Sequence, residues 1–130
     1  MPILPKQPRL TNAKAVRGAW AQERKAGRQA RKAGDAAGEW NHLERAHILS
    51  QPLVVAHVRT HLAMLAYAVR NRDRREITGQ VVRLLVAGPG SATGRYPLGN
   101  TGGANVSATT PMPIPADLQA ILRGTESASL

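Results

Sequence analysis

The chain has no cysteine and no phenylalanine, and aromatic residues make up only 3% of it. The missing thiols exclude disulfides, thiolate metal sites and cysteine nucleophiles. The shortage of rings argues against a surface on which nucleobases stack. Acids are scarce as well, 8 Asp and Glu against 18 Lys and Arg, for a formal charge of +10. Long apolar runs are missing too. The longest, residues 62–69, falls far short of the roughly 20 residues of a membrane-spanning helix. The N-terminal segment lacks the apolar stretch of a secretory leader. A cytoplasmic protein without membrane association is therefore expected.

What is present is enough for one domain of 130 residues, of which 12–33 are rich in the helix formers Ala, Arg, Lys and Gln. Residues 1–11, with Pro2, Pro5 and Pro8, read as an irregular lead-in. Helical signals then dominate residues 12–87. A first helix runs from Asn12 to Ala33 and stops at Gly34, a suitable residue for a left-handed C-terminal turn. Asp35 can cap a second helix to about Leu49. Pro52 suits the first turn of a third helix, ending near Arg70. Asp73 and Glu76 have capping-box-like spacing and open a fourth, to about Ala87.

Short connections favour antiparallel neighbours. The Gly34-Asp35 and Arg72-Asp73 breaks approximate a tetratricopeptide period. The expected fold is thus all-α, with two antiparallel helical hairpins packed in a four-helix, tetratricopeptide-like manner. Residues 88–130 form a Gly/Pro-rich tail. Within it, Leu118, Ile121 and Leu122 give a short helix near residues 115–123 one apolar face, with which it packs back on the domain. Beyond Gly124 the chain is expected to fray.

The chemistry gathers between Glu23 and His61. Val16, Trp20, Glu23, Gly27 and Ala30 share one helical face. Glu23 is the only acid of residues 1–34, and a carboxylate inside an apolar stripe needs a partner. On the second helix Trp40, Leu43 and His47 share a face, and Glu44 stands one turn before His47. On the third, His57 precedes His61 by four residues, so both imidazoles reach one point. Helical bundles build metal sites from such glutamates and histidines. The expected ligands are His47, His57 and His61 with Glu23 and Glu44. His42, Gln51, Asn100, Thr101 and Asn105 would orient the ligands or cover the site. Nitrogen-rich ligation suits a divalent transition metal (Zn, Fe, Ni, Co or Cu) over Mg or Ca. The same residues also admit a metal-free His–Glu network or metal-free acid–base catalysis.

Two runs carry a family resemblance. His42-Leu43-Glu44-Arg45-Ala46-His47 and residues 57–65 are similar to the core of a small bacterial family, a domain of unknown function. The tail phrases at residues 99–106 and 111–118 resemble it too. The resemblance implies a bacterial, cytosolic, mostly helical protein and supplies no activity. The strongly basic residues 24–32 depart from that family's pattern.

The leading expectation is a transition-metal-binding helical protein, either a metal-dependent enzyme or a metal-handling accessory protein. Its partner would be a metal or a small molecule. One alternative is a tetratricopeptide-like protein-interaction module with internal histidines. The other is a nucleic-acid binder using the basic arm at residues 6–32, whose affinity would fall steeply with salt.

Overall fold

Each break in the helical pattern carries residues that stop one helix and start the next. In the computed structural model, which describes residues 4–124, these breaks separate α1 (Ala13–Lys32), α2 (Ala36–Ser50), α3 (Val54–Arg70), α4 (Arg74–Thr93) and α5 (Ala116–Arg123). Gly34 takes a left-handed φ of +75° after α1, as a Cβ-free residue does at little cost. Asp35 accepts a hydrogen bond from the Gly38 N–H at 2.9 Å and caps α2. Asp73 does the same for α4 through the Glu76 N–H at 3.0 Å. The reciprocal half of a capping box is not formed, because the Glu76 carboxylate is used elsewhere, as described below. Fraying beyond Gly124, like Pro2 of the lead-in, concerns residues outside those described.

The fold is all-α. α1 packs along α2, α3 along α4, and α2 against α3, so two helical hairpins lie side by side. The register is antiparallel at every step. Glu23 meets His42 and Arg45 across α1 and α2. Glu39 takes both terminal nitrogens of Arg70 across α2 and α3. His61 meets Gln80 across α3 and α4. Trp20 adds a cross-tie from α1 to α3, donating its indole N–H to Thr60 Oγ1 at 2.8 Å.

One apolar cluster joins α1, α2 and α5. Val16, Ile48, Leu49 and Leu118 are buried together, with Leu10, Trp20, Ile114, Ile121 and Leu122 packed around them. α5 thus folds back on α1 and α2. Two polar contacts hold it: Asn12 donates its side-chain amide to the Ile121 carbonyl, and Arg45 pairs with Asp117. Asn12 stands at the N-cap of α1 but makes no cap bond there: its amide nitrogen is turned to the end of α5, and its Oδ1 is buried without a hydrogen-bond partner among the described residues.

The largest difference from the sequence expectation is the end of α4. Gly88, Pro89 and Gly90 argue for a stop near Ala87, yet the helix continues to Thr93. Proline removes one N–H and frees the carbonyl four residues earlier. That residue is Leu85, which is 75% exposed, so water can satisfy the group. The extra turn is anchored instead by tertiary bonds through Ser91. α3, similarly, starts at Val54 with Leu53 as its cap, which leaves Pro52 in the preceding turn.

Candidate metal centre

Three of the four histidines meet in the interior. His47 comes from the last turns of α2, and His57 and His61 lie one turn apart on α3. All are buried, with 3%, 5% and 2% of their surfaces exposed. Their Nε2 atoms form a triangle: His47 to His61 3.0 Å, His57 to His47 3.0 Å, His61 to His57 3.2 Å.

The other ring nitrogens determine what this triangle is. His47 Nδ1 lies 2.6 Å from the Asn100 carbonyl, which can only accept. His61 Nδ1 lies 2.6 Å from Gln80 Oε1. The Gln80 amide is oriented by its own nitrogen, which donates to Glu76 Oε1 at 2.6 Å and to the Gly102 carbonyl at 2.8 Å. His57 Nδ1 lies 2.6 Å from Ser91 Oγ. That hydroxyl's single proton goes to the Gln51 carbonyl, also at 2.6 Å, so the oxygen accepts from the ring. Each neutral ring therefore carries its proton on Nδ1. All three Nε2 atoms present lone pairs to one another, with no proton between them.

Burial and mutual repulsion keep the rings neutral. Desolvation, then His61 and His57, push His47 well below the usual value of 6.5. Desolvation and His61 lower His57 to about 3. His61 falls to about 4, mainly through desolvation, with Gln80 opposing and the Arg83 charge adding. In an unfolded chain all three would titrate near 6.5, so below that pH the unfolded state binds more protons and stability falls. The metal-free protein is expected to lose up to about 1.4 kcal/mol per pH unit for each histidine between pH 6 and 4. Urea unfolding in chelator at pH 7 and pH 5 measures this; equal midpoints would refute it.

The tail closes over the cluster through backbone contacts. Asn100, 2% exposed, donates its amide to the Ser107 and Thr110 carbonyls and accepts from the Gly102 N–H. Gln51 is bound to Pro97 and Gly99. Glu76 accepts the Ala104 N–H. Gly102 has a φ of +86°, and a Cβ there would stand 2.6 Å from the His47 ring. Gly102→Ala is therefore expected to cost about 2–4 kcal/mol, from the left-handed backbone and the clash together. Thermal unfolding reports it, and a loss under 1 kcal/mol would contradict this packing.

The carboxylates singled out by sequence lie elsewhere. Glu23 gives one oxygen to His42 Nδ1 at 2.7 Å and the other to Arg45 Nε at 2.9 Å. This network ties α1 to α2. Glu44 is half-buried beside Thr101, where burial raises its pKa. Neither joins the group of ligand atoms formed by His47, His57 and His61, which all lie within 4.8 Å of one another. Thr101 is half-buried and Asn105 exposed in the same tail. Sequence reasoning did not single out Gln80, Ser91 or Arg83, and it gave Glu76 only a capping role. The Glu76–Gln80 spacing of four was a legible signal, whereas nothing local marks Ser91.

All three rings also line a cavity of about 530 Å³ between α4 and the tail, with Arg83 and Tyr96 among its walls. Fold and cluster together define a small helical protein with a buried three-histidine group that can hold a metal ion. The chain belongs to the family described as protein of unknown function (DUF3703), whose model matches residues 14–122. No curated protein and no solved structure matches it. No described helix is long and apolar enough to cross a membrane.

Proposed function

We propose that the protein binds one divalent transition-metal ion through the Nε2 atoms of His47, His57 and His61, with a further position open to the cavity. The convergence of three proton-free nitrogens carries this reading. A tetrahedral site with metal–nitrogen bonds of about 2.05 Å has nitrogen–nitrogen edges of about 3.3 Å, close to the observed 3.0–3.2 Å. Without a cation, three lone pairs would face one another at 3.0–3.2 Å.

The outer bonds favour the same reading. Metal-bound histidines donate their second N–H to a carbonyl, carboxylate or similar acceptor, which fixes the tautomer and the ring. Here Asn100, Ser91 and Gln80 fill that role for one ring each. Glu76 supports Gln80 in turn.

A metal delivered to a partner needs exposed ligands that can be exchanged. These three are buried and locked, so the site suits a retained ion that acts in place. Three protein ligands and an open side are the pattern of catalytic zinc centres. A metal so held supplies Lewis-acid polarisation of an oxygen entering the cavity. Titration of the metal-free protein with Co²⁺ tests the site. Strong visible absorption saturating at about one ion per chain, the signature of four-coordinate cobalt in such a nitrogen-rich pocket, is expected. Weak, non-saturating absorption would sink the proposal.

A further inference from the structure

Arg83 is a buried charge of this site with no direct ion pair among the described residues; the Glu76 carboxylate acts on it only at longer range. It is 8% exposed and lines the same cavity as the three histidines. Its terminal nitrogens are held by backbone: Nη1 donates to the Gly79 carbonyl at 3.1 Å and Nη2 to Val106 at 2.7 Å. Its Nε is buried with no hydrogen-bond partner. An unmet donor on a buried cation is costly. Among the described residues no carboxylate pairs with it within salt-bridge distance.

The cavity has matching character. None of its lining residues is acidic, and Arg95 adds a second cation. Much of the remaining wall is aliphatic, including Leu85, Val86, Ala87 and Pro89. A metal ion on three neutral histidines would bring two further positive charges to this space. The buried Glu76 carboxylate behind Gln80 offsets only part of that charge, so an anion entering the cavity is favoured, and apolar walls favour a ligand with a hydrocarbon body.

We infer that the cavity binds a small monocarboxylate with an aliphatic tail, its carboxylate held between the metal and the Arg83 guanidinium and its tail along the α4 wall. This inference rests on the metal site proposed above and names the class of ligand that site takes. A planar carboxylate matches the flat, multi-donor guanidinium of an arginine that lines the cavity. The two backbone bonds already fix that plane, so binding loses little side-chain freedom.

The test is calorimetric titration of the zinc-loaded full-length protein with hexanoate, acetate and 1-hexanol, with zinc content measured on the same samples. Hexanoate is expected to bind at least tenfold more tightly than acetate, because its tail buries more apolar surface. It should also bind at least tenfold more tightly than 1-hexanol, which lacks the charge. Arg83→Lys keeps the charge and removes the planar donor fork. It should retain zinc and weaken hexanoate about ten- to hundredfold, the effect of one lost charge-assisted hydrogen bond. Val86 is 54% exposed, so Val86→Glu tolerates the change and serves if Arg83→Lys misfolds. It should likewise keep zinc and weaken hexanoate. Equal binding of hexanoate and 1-hexanol by zinc-loaded protein, or hexanoate binding unchanged in the folded variants, overturns this inference alone. Protein that holds no zinc overturns the metal site and this inference with it.

Discussion

Protein purified without chelator is expected to carry about one transition-metal ion per chain, and His61→Ala to carry less than a tenth of that. His61 supplies one corner of a triangle whose other two corners are aimed at the same point by Asn100, on His47, and Ser91, on His57. Removing one of three protein ligands leaves two nitrogens 3.0 Å apart, which grip a metal far more weakly. Glu23→Gln is the informative control, since the Glu23 oxygens are bound to His42 and Arg45. That variant should keep its metal and lose only some stability. Plasma mass spectrometry after gel filtration, with circular dichroism to establish folding, makes the comparison. Equal metal content in folded His61→Ala and wild-type protein would rule out the histidine site.

Metal should also raise thermal stability markedly. An ion that binds only the folded chain at about 100 times its dissociation constant stabilises it by about 2.7 kcal/mol. For a domain of this size that is roughly 10 °C in Tm. A tighter site or more metal would raise it further. The gain has a specific source here. The metal-free interior holds three lone pairs in mutual repulsion, and an ion converts that repulsion into three bonds. Calorimetric scans with chelator and with added zinc measure the shift. His47→Ala should abolish it, and an unchanged Tm on zinc addition to the wild type would refute the idea.

The helices themselves were legible in the sequence. Gly34, Asp35 and Asp73 mark real boundaries because capping and left-handed turns depend on a few neighbouring atoms. The apolar face of α5, formed by Leu118, Ile121 and Leu122, is packed on Val16, Ile48 and Leu49, as its pattern implied. The end of α4 was not legible. Gly88, Pro89 and Gly90 lower helix propensity locally, and a hydroxyl bridge from Ser91 to Gln51 and His57 outweighs them.

The site divides along the same line. Helical periodicity put His57 and His61 on one turn of one helix and His47 on the inner face of another, since spacing within a helix follows from its 3.6-residue turn. Glu23 read as a possible ligand because it sat in an apolar stripe. Whether a buried carboxylate meets a metal or an arginine depends on which helix lies opposite, and α2 presents His42 and Arg45. The tertiary structure likewise decided the tautomers. Asn100 is 53 positions from His47, and Ser91 is 34 from His57. No local pattern encodes contacts of that length. The sequence by itself therefore determined the helices and supplied the three imidazoles. Only the packing of α2, α3, α4 and the tail turned their Nε2 atoms toward one point and left Arg83 beside it with a donor to spare.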